Sequence, residues 1–296
     1  MSAGNSSRRQ FGVAAPPLFW LGLFFLIPFA IVMTIAFAES AIGIPPYISP
    51  LQFGEGGVSL HPYFGNFQIL AEDSLYLRAF LNSLGFAGGA TVLCLLIGYP
   101  MAYAIARAPE SWRATLMTLV ILPFWTSALI RVYSWMGILK PNGLINQLLI
   151  ASGLIDEPLP LLNNFFSVEL GLVYGYLPFM ILPLYTTLEK MDLTLLEAAA
   201  DLGCRPLRAF LRITLPLSLP GIIAGSLLVF VPAVGEFVIP DLLGGPSTLM
   251  VGKVLWDEFF TNHDWPVASA VAVAMLILLV VPMGLAQFFL RGKERG

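Results

Sequence analysis

Charged side chains are scarce in this 296-residue sequence: they make up 11% of it, while apolar residues make up 57%. A soluble domain carries about 25% charged residues. So few charges cannot cover a surface that faces water, which excludes an ordinary soluble protein and indicates that lipid surrounds most of the chain. The net charge of −3 gives no indication of nucleic-acid binding.

Groups typical of catalytic and metal sites are scarce as well. Cys94 lies in an apolar run and Cys204 in a polar loop, so we expect both to be unpaired. His61 and His263 form no cluster with metal-ligand spacing, and there is no Gly-x-x-x-x-Gly-Lys-[Ser/Thr] phosphate loop. We therefore predict no catalytic residues, no metal site and no cofactor bound by this chain itself.

Six apolar stretches are long enough to cross about 30 Å of hydrocarbon, for which a helix needs about 20 residues. Backbone polar groups in lipid must bond internally, so these stretches should be helices. The sequence predicts an all-α membrane protein with a single transmembrane domain over residues 1–296. The six predicted spans lie near 17–38, 80–106, 114–136, 168–188, 217–239 and 266–290.

The first apolar run has some features of a signal peptide. Arg8 and Arg9 precede it, and 36–38 (Ala-Phe-Ala) resembles a cleavage site. The run from about Pro16 to Ala38 exceeds the usual core of about 7–15 residues. We therefore expect it to be retained as a true span.

The basic residues predict the orientation, because lysine and arginine favour the cytoplasmic side. Eleven of the fifteen fall on the side that holds both predicted termini: Arg8, Arg9, Arg107, Arg113, Lys190, Arg205, Arg208, Arg212, Arg291, Lys293 and Arg295. Both termini and the loop at 194–216 are therefore predicted to be cytoplasmic. The opposite, outer segments are rich in acidic residues, which attract cations, although loops in water need charge in any case.

We single out two of the charged residues that fall inside predicted spans, Glu236 and Arg131. An acidic residue at mid-bilayer costs on the order of 3 kcal/mol and usually faces a cavity or a partner. We interpret Glu236 as a carboxylate that meets a cationic substrate; the alternatives are an interhelical bond or a position nearer the outer interface. Arg131 either snorkels outward or pairs with Glu236, and we expect its role to be structural.

Aromatic residues concentrate in the same spans. Trp and Tyr commonly form belts at membrane interfaces, but aromatic faces also bind ammonium groups. We expect one or two of them to line a substrate pathway. The candidate pathway residues are Glu236, Phe237, Trp125, Tyr133, Tyr174 and Asp241.

The polar loop at 194–216 has its own helix signals. Thr194-x-x-Glu197 fits a capping box, in which Thr194 caps a helix and Glu197 reaches back to its backbone. Gly203 suits a left-handed helix end, and Pro206 suits the first position of a second helix. We predict two short helices with a sharp bend at Gly203. The alternative is an ordinary amphipathic hairpin in which Glu197 only caps.

The spacing within this loop runs Glu197-Ala198-Ala199, three residues, Gly203, nine residues, Ile213, one residue, Leu215-Pro216. It resembles the loop by which permease subunits of bacterial ABC importers engage their ATPase subunits. The resemblance implies that the first short helix docks in a groove of the ATPase. The residues it implies for this coupling are Glu197, Ala198, Ala199, Asp201, Gly203 and Arg205.

Five other segments extend the resemblance over nearly the whole chain from about residue 17. They are 44–47, 121–131, 176–183, 235–246 and 264–270. They resemble the permeases of bacterial polyamine importers, most of all the putrescine-type permease that is the first of two unlike membrane subunits. Putrescine is thus the expected substrate, with spermidine or another cation as the alternative.

The resemblance also implies the assembly and the fold. The partners would be a second homologous permease, two ATPase subunits that bind ATP and Mg, and a periplasmic polyamine-binding protein. The fold would be that of a type I ABC importer permease, with six transmembrane helices and short cytoplasmic coupling helices. The location would be the bacterial inner membrane.

Two other functions compete with this one. An ion-coupled secondary transporter would use Glu236 as a proton or sodium site, but it has no use for a docking loop at 194–216. A membrane-embedded enzyme is disfavoured because no paired catalytic groups occur at one depth.

Overall fold

The computed structural model describes residues 14–54 and 57–293, and the side chains of 14–51 and 59–281. The chain divides into two compact units. The terminal unit comprises the described residues up to Leu77 and from Val254 onward, and the central unit comprises Arg78–Lys253. We describe each unit by itself.

Helices dominate the described part of the chain. In chain order they are α1 (Ala14–Ala36), α2 (Gly65–Glu72), α3 (Ser74–Arg107), α4 (Glu110–Ile121), α5 (Ala128–Leu139), α6 (Leu144–Ala151), α7 (Phe165–Glu189), α8 (Thr194–Asp201), α9 (Pro206–Val234), α10 (Val238–Leu243), α11 (Val251–Trp256) and α12 (Trp265–Lys293). Short π-helical segments interrupt α1 at Gly22–Leu26 and α9 at Phe210–Thr214, and another follows α11 at Asp257–Thr261.

Four of these helices, α1, α3, α7 and α9, are long and apolar enough to cross a bilayer within the described residues. A fifth crossing is possible if the bent pair Glu110–Trp125 and Ala128–Ala151 counts as one span. In α12 the apolar stretch that is described runs from Trp265 to Val281. The prediction of several membrane helices is confirmed, while the count of six stays a prediction.

The third predicted span, 114–136, is wrong as a straight helix. The chain bends by 85° between the two members of the pair. Pro123 lies in a tight turn at Leu122–Trp125, and Thr126 and Ser127 are extended, with ψ of 151° and 136°. A proline has no N–H to continue a helix, so the break falls next to it.

The all-α prediction also missed two small hairpins between α1 and α2. Strands β1 (Glu39–Ser40) and β2 (Tyr47–Ile48) pair antiparallel, as do β3 (Leu51–Gly54) and β4 (Gly57–Leu60). The register places Ser40 opposite Tyr47 and Leu51 opposite Leu60. Strands of two and four residues are too short to give the apolar alternation by which strands are recognised.

The terminal unit has a small apolar core between α1 and α12. Buried Ala36, Ala270 and Val273 meet there, and side chains of α1 and α2 pack around them. The buried amide of Asn66 donates to the carbonyls of Ala36 and Ala38, at 2.9 and 2.8 Å. These bonds satisfy carbonyls at the end of α1 that have no helical partner. Asp264 begins α12 by accepting from the Val267 N–H at 3.1 Å.

Close packing of α7 against α9 forms the centre of the central unit. Gly221 and Gly225, four residues apart on α9, are buried against α7. A Cβ at Gly221 would lie 2.9 Å from the Pro183 carbonyl oxygen, and one at Gly225 would lie 3.1 Å from that of Met180. Small residues at this spacing let membrane helices approach backbone to backbone.

We predict that Gly225→Val destabilises the protein by about 1–3 kcal/mol, because overpacking a close contact forces backbone shifts. Ala224→Val is the matched control, since Ala224 is exposed on the same helix. The measurement is the midpoint of thermal unfolding in detergent. Equal midpoints for the two variants would contradict the proposed packing.

Candidate functional site

The helix predicted for coupling is α8, but its beginning differs from the prediction. The capping box is wrong: Leu193 is the N-cap residue, and no side chain caps the helix there. Thr194 is the first helical residue, and its N–H donates to Asp192 Oδ1 at 3.0 Å. Asp192 therefore accepts from the first helical N–H, and the side chain of Glu197 is exposed in the first turn.

The end of α8 follows the prediction. Gly203 is left-handed, with φ of +72°. The Gly203 N–H donates to the Ala200 carbonyl at 2.8 Å, and the Cys204 N–H donates to the Ala199 carbonyl at 2.9 Å. This pair of bonds is a Schellman motif, which satisfies the last carbonyls of the helix.

The second predicted short helix is not separate. Pro206 occupies the first turn as expected, but the helix continues through Phe210–Thr214 into the rest of α9. Phe210 packs edge-on against Tyr99 and Tyr103 of α3, with ring centroids 5.6 and 6.4 Å apart. The loop is therefore anchored to α3, while α8 projects from it.

The predicted coupling residues form a small exposed surface on and after α8. Glu197, Ala198, Asp201, Gly203 and Arg205 are exposed, and Ala199 is half-buried. Small side chains next to exposed charges permit another protein to approach the backbone closely.

A cavity of about 340 Å³ lies within the central unit, between α5, α7 and the start of α10. Its wall is largely apolar and aromatic, with two charged residues of opposite sign. Its lining residues include Phe124, Arg131, Trp135, Tyr174, Tyr176 and Glu236.

Glu236 lies in a break between helices, near the end of the predicted span 217–239. Helix α9 ends at Val234, and α10 begins at Val238. Its Oε2 accepts from the Tyr176 hydroxyl at 2.6 Å, and its Oε1 accepts from the Val238 N–H at 3.0 Å. The carboxylate is held by neutral donors at a helix start, where a negative charge is favoured.

Arg131 lines the same cavity from the first half of α5. Its guanidinium carbon is 4.8 Å from the centroid of the Phe124 ring, within the range of cation–π contacts. Among the residues whose side chains are described, no acceptor bonds its buried Nε and Nη1. Within this same set, Arg131 and Glu236 form no ion pair, so the pairing left open by the sequence is not found.

The other candidate pathway residues are spread out. Tyr174 lines the cavity with Trp135, whose ring lies 5.4 Å away. Trp125 and Tyr133 are 78% and 56% exposed and do not line it, and half-buried Phe237 is also outside its lining. Asp241 forms an ion pair with Lys253 at 3.0 Å.

Sequence reasoning missed the cavity walls contributed by Phe124 and Phe179, which pack edge-on with ring centroids 5.3 Å apart. It also missed Glu169, a 5% exposed carboxyl on α7 that faces Gly89 of α3. No partner bonds either carboxyl oxygen among the described side chains. A charged residue in an apolar run was the signal that could have found Glu169.

Comparison with known proteins identifies the family. The model of the binding-protein-dependent transport system inner membrane component family matches residues 94–295. The chain belongs to this family. It is therefore a multi-pass membrane protein and a permease subunit, not an enzyme; ATP hydrolysis belongs to separate ATPase subunits.

Curated relatives are similar over most of the chain. A spermidine/putrescine transport system permease protein, PotB, of Haemophilus influenzae is 42% identical over 88% of this chain and 87% of its own length. PotB of Escherichia coli is 44% identical over 70% of this chain and 75% of its own. These names cover both polyamines, so they do not support narrowing the resemblance to a putrescine-type permease.

A solved structure supports the fold. A chain of a bacterial ABC transporter involved in alginate import matches with a TM-score of 0.67 at 19% identity, over 97% of this chain and 96% of the other. The type I ABC importer permease fold is thereby supported for this family member.

We predict that Gly203→Ala weakens the end of α8 by about 1–2 kcal/mol, because a left-handed backbone disfavours any side chain. Amide hydrogen exchange at residues 203 and 204 should accelerate accordingly. Leu202→Ala is the control, because Leu202 is 88% exposed and precedes the left-handed position. Unchanged exchange in Gly203→Ala would contradict the motif.

Proposed function

We propose that this chain is one of two homologous permease subunits of an ATP-driven importer that carries a polyamine, spermidine or putrescine, into the cytoplasm. The observation that carries the proposal is the similarity to PotB permeases over most of the chain. Family membership disfavours a secondary transporter that works alone. The partners would be a second permease, two ATPase subunits that bind ATP and Mg, and a periplasmic polyamine-binding protein.

The basic residues support an orientation with α8 in the cytoplasm, since eleven of fifteen lie on that side of the predicted spans. In this orientation the exposed surface of α8 would dock on an ATPase subunit. Its anchor, Phe210 against Tyr99 and Tyr103, would pass the movement to α3 and α9.

The cavity supports a cationic, flexible cargo. An ammonium group interacts favourably with a carboxylate and with aromatic faces, and Glu236 lines one cavity with Trp135 and Tyr174. The methylene chain of a polyamine would lie against the apolar part of the wall. The cargo would enter from the periplasmic side and leave on the cytoplasmic side as the two permeases alternate in access.

We predict that Glu197→Arg reduces uptake to background, because it reverses the charge on the surface that would meet the ATPase. Polyamine uptake and copurification of the ATPase are the measurements. Glu110→Arg is the control, since it makes the same exchange at an exposed residue of α4. Normal uptake with a wild-type yield of the complex would remove α8 from coupling.

We predict that Glu236→Gln lowers polyamine uptake about tenfold or more, because a hydrogen bond to a charged group contributes about 1.5–3 kcal/mol. Assembly should persist, since the amide oxygen can still accept from the Val238 N–H and the Tyr176 hydroxyl can turn to accept from the amide N–H. Asp241→Asn is the control, because that carboxylate is paired with Lys253. Unchanged uptake kinetics in Glu236→Gln would exclude Glu236 from the pathway.

A further inference from the structure

Two opposite charges line one cavity without pairing. Arg131 rests on the Phe124 ring, 4.8 Å from its centroid, while Glu236 accepts hydrogen bonds from Tyr176 and Val238. All five residues belong to the central unit. Both charged residues face the same space of about 340 Å³.

The arrangement leaves Arg131 poorly compensated. Its buried Nε and Nη1 have no acceptor within the described set of side chains, and burying a charged donor without an acceptor is costly. The contact with Phe124 stabilises the guanidinium less than a network of charge-assisted hydrogen bonds would. Glu236 is the carboxylate in this cavity that can supply the missing acceptor.

We propose that Arg131 is a resident counter-cation that competes with the ammonium group of the cargo for Glu236. The proposal rests on the proposed function, that a polyamine passes through this cavity. When cargo is bound, its ammonium group takes Glu236 and Arg131 stays on Phe124. When cargo leaves, the guanidinium moves to Glu236 and neutralises it.

The replacement of the ammonium group by Arg131 at Glu236 would help the cargo to leave the cavity. A fixed carboxylate in a low-dielectric cavity would hold a cation tightly, and transport requires binding weak enough for the substrate to leave. Arg131 also repels a second ammonium group, so the cargo would place one amine at Glu236 and its chain against Trp135 and Tyr174. Arg131 is thus a positioning and specificity-determining residue.

The first test measures initial rates of radiolabelled spermidine and putrescine uptake by the complete transporter in proteoliposomes. In Arg131→Gln, the competitor for Glu236 is lost, so KM and Vmax should both fall, by about fivefold or more if the coupling is typical. Arg131→Lys keeps the positive charge and should keep values near those of the wild type. A merely structural role would lower Vmax without lowering KM.

The second test uses a variant that favours the pairing of Arg131 with Glu236. Phe124→Leu removes the ring that holds the guanidinium, so Arg131 should pair with Glu236 more readily and KM should rise. Phe166→Leu is the control, because Phe166 is 52% exposed on α7 and does not line the cavity. If Arg131→Gln does not assemble, the KM of Phe124→Leu tests the proposed role of Arg131 instead.

The variants separate this inference from the proposed function. If Glu236→Gln transports like the wild type, the proposed polyamine site itself fails. A different outcome is that Glu236→Gln is impaired, while Arg131→Gln does not lower KM and Phe124→Leu does not raise KM. This outcome would refute the proposed role of Arg131 and leave the polyamine site standing. In a Glu236→Gln background, Arg131→Gln should no longer lower KM; a persistent decrease would also refute that role.

Discussion

Backbone N–H and C=O groups that lose their helical partners within a bilayer must find others inside the protein, and this constraint determines where the cavity lies. The chain leaves helical geometry at Thr126–Ser127 and again between Val234 and Val238. Residues beside both breaks, including Phe124 and Glu236, line the cavity. At the second break the carboxylate accepts from the Val238 N–H, so one side chain both completes the broken backbone and presents a charge to the cavity.

The sequence predicted best the features that follow from local chemistry. The long apolar runs gave α1, α3, α7 and α9, because a bilayer permits little else, and Gly203 gave the end of α8, because few residues adopt its φ. The capping box predicted for the start of α8 was wrong because the N-cap residue is Leu193, one position before Thr194, and Asp192 accepts from the first helical N–H. The strands of the hairpins were too short for a periodic pattern, and Pro123 indicated a break in the span but not its 85° angle.

The residues of the cavity were predicted in part, where their side-chain chemistry stood out from the surrounding sequence. Glu236 and Tyr174 stood out as a charged and an aromatic residue in apolar runs, and the structure brings them to one cavity. A segment that is apolar on every side gives no sign of which face turns toward the cavity. The sequence therefore could not show that Trp135 lines the cavity while Trp125 and Tyr133 do not. The same fold occurs in an alginate transporter at 19% identity, so the fold alone does not select a cargo.

Helix α9 is continuous through its π-helical segment, which has a mechanical consequence. Its 29 residues, at about 1.5 Å each, form a rod of roughly 40 Å that starts beside α8 and ends next to Glu236. A helix resists shortening, so a push at Pro206 must reach Val234 as a shift or a tilt. Gly221 and Gly225, near the midpoint of α9, pack closely against α7. This contact is a point about which α9 could tilt. A rod that tilts about a contact near its midpoint moves its two ends in opposite directions, so a tilt of α9 about Gly221 and Gly225 would displace the Pro206 end and the Glu236 end oppositely.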